Sequence, residues 1–262
     1  MVAQTLSLPN VRKLFVPDPG YLIGECDLSG ADAQVVAWEA EDEGLKAAFR
    51  AGLKVHLKNA RDIFPEQTDG MTDQQIKDTD HPGGIYHDCK RSVHGTNYGV
   101  TPWSLAGKLG WPTSAAKSFQ ANWFGLHPGI KVWQERVQAG LYGRIEGLPP
   151  RTVRNKFGYR IIFFDRAEGL LPEALAWGPQ STVGITCAKG ALLAQHIVQV
   201  LLQVHDSFIF QTPIEGAEER FYRLNKALHS VFVPYDDPLT IPWKLTVSDK
   251  SWGHAQERAW PT

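Results

Sequence analysis

Cysteine is scarce in this chain. Cys26, Cys89 and Cys187 are the three, far apart, odd in number and in no CxxC pair. That pattern argues against a disulfide framework and a zinc cage, and it fits a reducing cytosol. Long apolar runs are missing as well: none approaches the roughly 18 residues of a membrane span. The opening residues, MVAQTLSLPNVRK, lack the continuous apolar core of a signal peptide. The expectation is a cytoplasmic chain with no membrane partner. Internal repeats and low-complexity tracts are also absent, so nothing argues for a solenoid or a disordered array. What remains is ordinary for a globular protein with a real core: 43% hydrophobic and 21% charged residues in a chain of 262. That length allows one large domain or two small ones.

Net charge is nearly absent too, at −1, but its distribution is uneven. The segment Lys90–Arg166 holds 12 Lys+Arg against 3 Asp+Glu, and the remainder holds 15 against 25. Such segregation fits a middle segment that meets a polyanion and flanks that carry the carboxylates. A solvated basic face is the alternative, because residues spread along a sequence need not cluster in space.

The stretch Leu201–Thr212, LLQVHDSFIFQT, organises the rest. Two short β-prone runs flank His205-Asp206 and predict a tight hairpin. A carboxylate and an imidazole sit where Asn-Gly would make an easier turn. An acid at such a tip is presented rigidly, which suits a metal ligand; an incidental surface turn is the plainer alternative. Earlier, Val11–Asp27 predicts strand, Pro-Asp-Pro-Gly turn and strand, with Asp27 at the exit of the second strand. Ala31–Glu41 is helix-forming, with Ser29 as its expected cap. Helices are predicted over Glu43–Phe64 (divided at Gly52), Tyr86–Tyr98, Thr113–Phe124 and Gly129–Tyr142. Leu148–Pro150 is expected to break the chain. A hairpin over Thr152–Phe164 follows, turning at Asn155–Gly158, and then a mostly helical stretch over Leu171–Val200 weakened at Gly184 and Gly190. Glu215–Phe232 is amphipathic, with Ala217, Phe221, Leu224, Leu228 and Phe232 on one face. Leu239–Val247 closes as a strand, and Pro242 favours an edge position. Strands at both ends with helices between imply one sheet interrupted by a helical insertion, and Asp27 and Asp206 fall on its two flanks.

Two aspartates at adjacent strand ends can bind two divalent cations, and Mg²⁺ is satisfied by few carboxylates plus phosphate and water. A structural ion pair with Lys or Arg is the alternative. On the predicted helix before Pro102, Lys90, His94 and Tyr98 follow at i, i+4 and i+8, sharing a face about 12 Å long. With Arg91 beside them, they match a nucleoside triphosphate: phosphates on Lys90, Arg91 and His94, sugar or base on Tyr98. An ordinary amphipathic helix with Val93 and Tyr98 in a core fits the spacing equally.

Three stretches, in order, resemble the motifs of family A DNA polymerases, the polymerase I type. Asp27-Leu28-Ser29-Gly30-Ala31-Asp32 resembles DYSQIE. Lys90–Gly99 (KRSVHGTNYG) resembles the fingers helix RxxxKxxNFG or its NYG variant. Gln203-Val204-His205-Asp206-Ser207 resembles QVHDE. Pro179-Gln180-Ser181-Thr182, Val55-His56 and Asn155–Arg160 are similar to further family segments, and the likeness is nearest to phage-type members. It covers nearly the whole chain, and the ordered set is specific where each motif alone is short.

The resemblance implies an α+β fold: an antiparallel palm sheet, residues about 1–40 and 167–262, with a largely helical fingers insertion, 41–166. It implies a template-directed DNA polymerase core that transfers a nucleotide from dNTP to a primer 3′-hydroxyl and releases pyrophosphate. Asp27 and Asp206, assisted by the Leu28 carbonyl, would bind two Mg²⁺ ions. Asp32 would exclude the ribose 2′-hydroxyl. Lys90, Arg91, His94 and Tyr98 would hold the dNTP, and Gln180 and His205 would touch primer-template DNA. The location implied is the cytoplasm, a host's if the chain is phage-encoded. A non-catalytic or partner-dependent nucleic-acid-binding subunit is the alternative, and a two-metal nuclease a third.

Several positions depart from the pattern. His94 stands in place of a lysine, Pro102-Trp103 in place of Tyr-Gly, Gln34 in place of an arginine and Ser207 in place of the third motif's acid. Only 26 residues precede Asp27, so the expectation is that a separate chain supplies any thumb or exonuclease.

Overall fold

The computed structural model describes residues 10–147, 149–165 and 169–262. Leu148, in the expected chain break, and Arg166, at the expected end of the fingers segment, lie outside the described residues. In chain order, β1 (Tyr21–Leu28) leads into α1 (Ala31–Glu39), α2 (Glu43–Arg50), α3 (Val55–Ile63), α4 (Pro65–Thr68) and α5 (Asp73–Lys77). Then come α6 (Ile85–Asn97), α7 (Pro102–Leu109), α8 (Thr113–Leu126) and α9 (Pro128–Leu141). The hairpin of β2 (Thr152–Arg154) and β3 (Arg160–Ile162) precedes α10 (Leu171–Ala194). The chain ends with β4 (Gln199–Val204), β5 (Ser207–Pro213), α11 (Ala217–Leu228), β6 (Trp243–Ser248) and β7 (Gln256–Arg258). Two compact units result: one takes the chain up to Ala31 and again from Val183, the other takes Asp32–Thr182.

The first unit is built on a five-stranded sheet in the order β4-β5-β1-β6-β7, each neighbouring pair antiparallel. Alternation sorts its side chains. Cys26 and Leu28 of β1, Phe208 and Phe210 of β5, and Trp243 and Leu245 of β6 are buried, as are Phe221, Leu224 and Leu228 of α11. Two contacts demand glycine. Gly24 pairs with Phe210, and a Cβ at Gly24 would lie 2.4 Å from the Phe210 ring. A Cβ at Gly190, on α10, would lie 2.6 Å from the Trp243 ring. The opposite face carries Glu25 and Asp27, with a smaller apolar cluster of Ile23, Ile209 and Trp252 beside them.

The second unit holds α2–α9 and the β2–β3 hairpin. Asp42 caps α2 by accepting the Leu45 N–H at 2.8 Å. Asn155 shapes the hairpin turn, its side chain accepting from Phe157 N and Tyr159 N at 3.1 Å each. The C-terminal end of α6 is pinned by side chains of α8 and α9. Gln134 Nε2 donates to the carbonyls of Thr96 and Asn97 at 2.7 and 2.9 Å, Gln120 Nε2 to Val100 at 2.8 Å, and Trp123 Nε1 to Asn97 Oδ1 at 2.8 Å. These bonds satisfy acceptors that a helix end otherwise leaves open.

Several local expectations are corrected. The chain before Pro17 forms a 3-10 turn, Val11–Leu14, rather than a strand, because the Asn10 side chain accepts the Arg12 N–H and starts a turn. Gly30, at φ +60°, directly precedes α1, so Ser29 lies one residue before the cap position. Gly184 and Gly190 do not interrupt α10, which is continuous through Pro179. Helix α11 stops at Leu228, and Phe232 is 51% exposed instead of extending the apolar face. Strand β6 begins after Pro242 and is flanked by β1 and β7, so it is not an edge strand.

Candidate active site: a carboxylate edge and a cationic helix

In the sheet unit, Asp27 is the penultimate residue of β1 and pairs with Ser207 on β5 and Lys244 on β6. The β4–β5 hairpin turns at His205-Asp206, with His205 at φ +53°, a strained value for a side-chain-bearing residue. Leu28 N–H donates to the Asp206 backbone carbonyl at 3.0 Å, which clips the hairpin tip to the end of β1. The expected convergence of Asp27 and Asp206 is therefore set by strand pairing. Burial, then the charges of Asp206 and Glu25, push the Asp27 carboxyl up to about 6, with Lys244 and Arg12 opposing. Both aspartates are half-buried, while His205 is exposed.

Two thiols lie near this edge. Burial pushes Cys187 up to about 12, aided by Asp206 and Asp27. Burial, then Cys187 and the neighbouring acids, raise Cys26 well above its usual range. Both shifts favour the thiol form, the weaker ligand, over the thiolate. Among the described residues no group of three or more His, Cys, Asp or Glu is arranged to hold a metal.

In the helical unit, α6 presents Lys90, Arg91 and His94 to solvent. Tyr98 caps that helix and is only 6% exposed. Its hydroxyl donates to Asp32 Oδ1, and burial followed by Asp32 raises the phenol well above its usual range. His94 Nδ1 lies 3.5 Å from Asp32 Oδ2, and the His94 and Tyr98 rings meet edge-on at 4.8 Å. Asp32, His94 and Tyr98 thus form one cluster. Gln180 is exposed on α10, and its neighbour Ser181 accepts from Asn155 Nδ2 at 3.0 Å.

The sequence implies no role for His56. On α3, it faces the same cations: burial, then Lys90 and His94, lower its imidazole below the ordinary value. Its buried Nδ1 has no hydrogen-bond partner among the described residues. A lone histidine with no helical-face partner in sequence gives no signal of this, because the proximity comes from packing of α3 on α6.

The family description DNA polymerase family A matches residues 3–143, more than half of the chain. DNA polymerase I of Geobacillus stearothermophilus is 29% identical over 247 residues, covering 89% of this chain and 26% of that protein. DNA polymerase I of Chloroflexus aurantiacus is 27% identical over 244 residues, covering 88% and 24%. The chain therefore spans about a quarter of the length of these relatives. Among solved structures, the POL domain of Pol1 from M. smegmatis, in complex with DNA primer-template and dNTP, is similar with a TM-score of 0.78. That likeness covers 94% of this chain and 42% of the other at 20% identity, and it speaks for the fold alone. The α+β fold with an antiparallel sheet and many helices is that of a polymerase domain fragment. With the family description spanning both the Asp27 strand and the whole of α6, this chain belongs to DNA polymerase family A.

Proposed function

We propose that the chain is a template-directed DNA polymerase core, a nucleotidyltransferase that joins dNTPs to a primer 3′-hydroxyl. The carrying observation is the convergence of Asp27 and Asp206, with burial and mutual repulsion holding Asp27 up at about 6. The donor set fits magnesium: two carboxylates and the Leu28 backbone carbonyl are hard oxygen ligands, and the shifts at the adjacent cysteines favour the thiol form. A divalent cation would also relieve the repulsion between the acids. Bound there as two ions, Mg²⁺ would supply the positive charge that favours an attacking oxygen and a leaving one.

The chain's own side chains supply the rest. Lys90, Arg91 and His94 would bind the triphosphate, with His56 adding an imidazole to the same set. Asp32, oriented by the Tyr98 hydroxyl, would exclude a ribose 2′-hydroxyl. Tyr98 would present its ring edge to the incoming sugar, and Gln180 and His205 would contact primer-template DNA. We assign residues 1–40 and 167–262 to a palm and 41–166 to fingers.

The test is primer extension by the purified chain with Mg²⁺ and dNTPs. Extension should be abolished by Asp27→Ala and by Asp206→Ala, and activity surviving both changes would refute the metal assignment. A partner-dependent nucleic-acid-binding subunit is the second reading, favoured by His94, Ser207 and Pro102-Trp103. Primer-template binding without extension at any metal or pH would establish it.

A further inference from the structure

Glu25 is a third carboxylate on the face that carries Asp27. Alternation along β1 puts both on one side of the sheet, while Gly24, Cys26 and Leu28 point into the core. Across the strands, Asp27 pairs with Ser207 and Lys244, and Glu25 with Ile209 and Thr246. Ser207 is 3% exposed, and its hydroxyl lies 2.7 Å from Glu25 Oε1 and 3.1 Å from the Val204 carbonyl. That hydroxyl has one proton, and the nearer, charged acceptor takes it. Trp252 Nε1 donates to Glu25 Oε2 at 2.8 Å. The Arg12 guanidinium lies 3.9 Å from the same oxygen and 4.3 Å from the Trp252 ring centroid.

Both oxygens of Glu25 are thus held, and its side chain is only 14% exposed. The hydrogen bonds alone do not call for an acid here, and Arg12, which pairs with it, is half-exposed. The Ser207 hydroxyl has a second acceptor in Val204, and a neutral amide would serve Trp252 equally. A charge two residues from Asp27 adds to the repulsion at that edge, and the half-exposed Arg12 guanidinium at 3.9 Å offsets only part of it. Ser207 meanwhile occupies the position where the resembling motif carries an acid.

We propose that Glu25 is a positioning residue of the cation-binding edge, supplying from β1 the negative charge that Ser207 does not supply from β5, and that the Ser207 hydroxyl aims it. The inference rests on the reading of Asp27 and Asp206 as cation ligands. Glu25 acts through its field on that pair and through the fixed place of Ser207 beside Asp27.

The experiment is calorimetric titration of the full chain with MnCl₂, an oxygen-seeking probe, together with melting of each metal-free variant. Glu25→Gln keeps the bonds to Trp252 and Ser207 and gives up only the ion pair with the half-exposed Arg12, which contributes little to stability. Its amide oxygen accepts from Trp252, its amide N–H donates to Ser207, and the Ser207 proton turns to Val204. We expect E25Q to melt like the wild type yet bind Mn²⁺ about tenfold more weakly. The double change E25Q/S207E should regain most of that loss, and Asp27→Ala should abolish binding. Unchanged Mn²⁺ affinity in E25Q overturns the inference while D27A-sensitive binding leaves the metal edge standing. A weakening that S207E does not restore returns Glu25 to a scaffold for Trp252. Absence of D27A-sensitive binding in the wild type sinks the underlying reading instead.

Discussion

Asp27 and Asp42 are both drawn out of solvent, one in each unit, and their surroundings drive them in opposite directions. Burial and two neighbouring acids push Asp27 up to about 6. Asp42 is 7% exposed. Burial would raise it too, but hydrogen bonds from His127 and from the Leu45 N–H outweigh that and hold its carboxyl below the ordinary value. His127 Nδ1 lies 3.1 and 3.2 Å from its two oxygens. The helical unit's acid is satisfied from within the chain. The sheet unit's acid is set among like charges, as expected of a group whose counterion arrives from outside.

The sharpest way to break the contrast is a reciprocal pair of substitutions. Asp27→Asn should reduce primer extension on the order of a thousandfold or more, yet leave the metal-free melting temperature unchanged or higher. Asp42→Ala removes a cap and a charge-assisted bond and should cost about 2 kcal/mol, a fall of a few degrees in melting temperature. It should leave the dNTP KM of the folded protein in place. If D27N destabilises and D42A abolishes extension, the contrast is inverted. Lys90→Ala comes next. It removes a solvent-facing cation of α6, and should lower kcat/KM for dNTP about ten- to a hundredfold. A change confined to primer-template affinity would reassign it.

A smaller effect sharpens the role of the Asp32 cluster. Asp32→Ala should raise ribonucleotide incorporation, and Tyr98→Phe should raise it by less, since it frees the carboxylate without removing it. Equal rates of ribonucleotide use in both variants and the wild type would place the sugar filter elsewhere. The smallest effect is in pH. The folded Asp27 value lies above the unfolded one, so its protonation favours folding. That gain is complete below the unfolded value and is lost as pH rises through about 6. Asp42 has the opposite sign: its contribution is present above the ordinary carboxylate value and disappears as pH falls through its lowered one. Metal-free melting should therefore rise between pH 7.5 and 5 in the wild type and not in D27N. The decline at still lower pH should be shallower in D42A.

Elements whose signal is local were legible in the sequence. The β4–β5 hairpin, α6, and the α2–α3 break at Gly52 follow from alternation, helical spacing and a residue at φ +67°. Strand β1 runs one residue past the expected exit at Asp27 and takes in Leu28. What was not legible depends on distant partners. The strand order places β1 between β5 and β6, and no pattern within β6 reveals that β7 will cover its far side. The turn at Val11–Leu14 starts where the Asn10 side chain accepts the Arg12 N–H. His56 and Glu25 carried no spacing signal, because each owes its surroundings to a neighbouring helix or strand. The bond from Tyr98 to Asp32 joins the end of α6 to α1 across 66 positions, and it leaves the Tyr98 ring buried and anchored.

The pairing of Gly24 with Phe210 has a consequence for Glu25 and Asp27, one and three residues further on. A slip of β1 by one position would bring Ile23 or Glu25 opposite that ring, where no side chain fits, and would turn Asp27 inward. The phenyl group works as a gauge block: the strand seats only at the setting that leaves its carboxylates outermost. A benzene ring sunk in the core thus guards the alignment of charges it never touches.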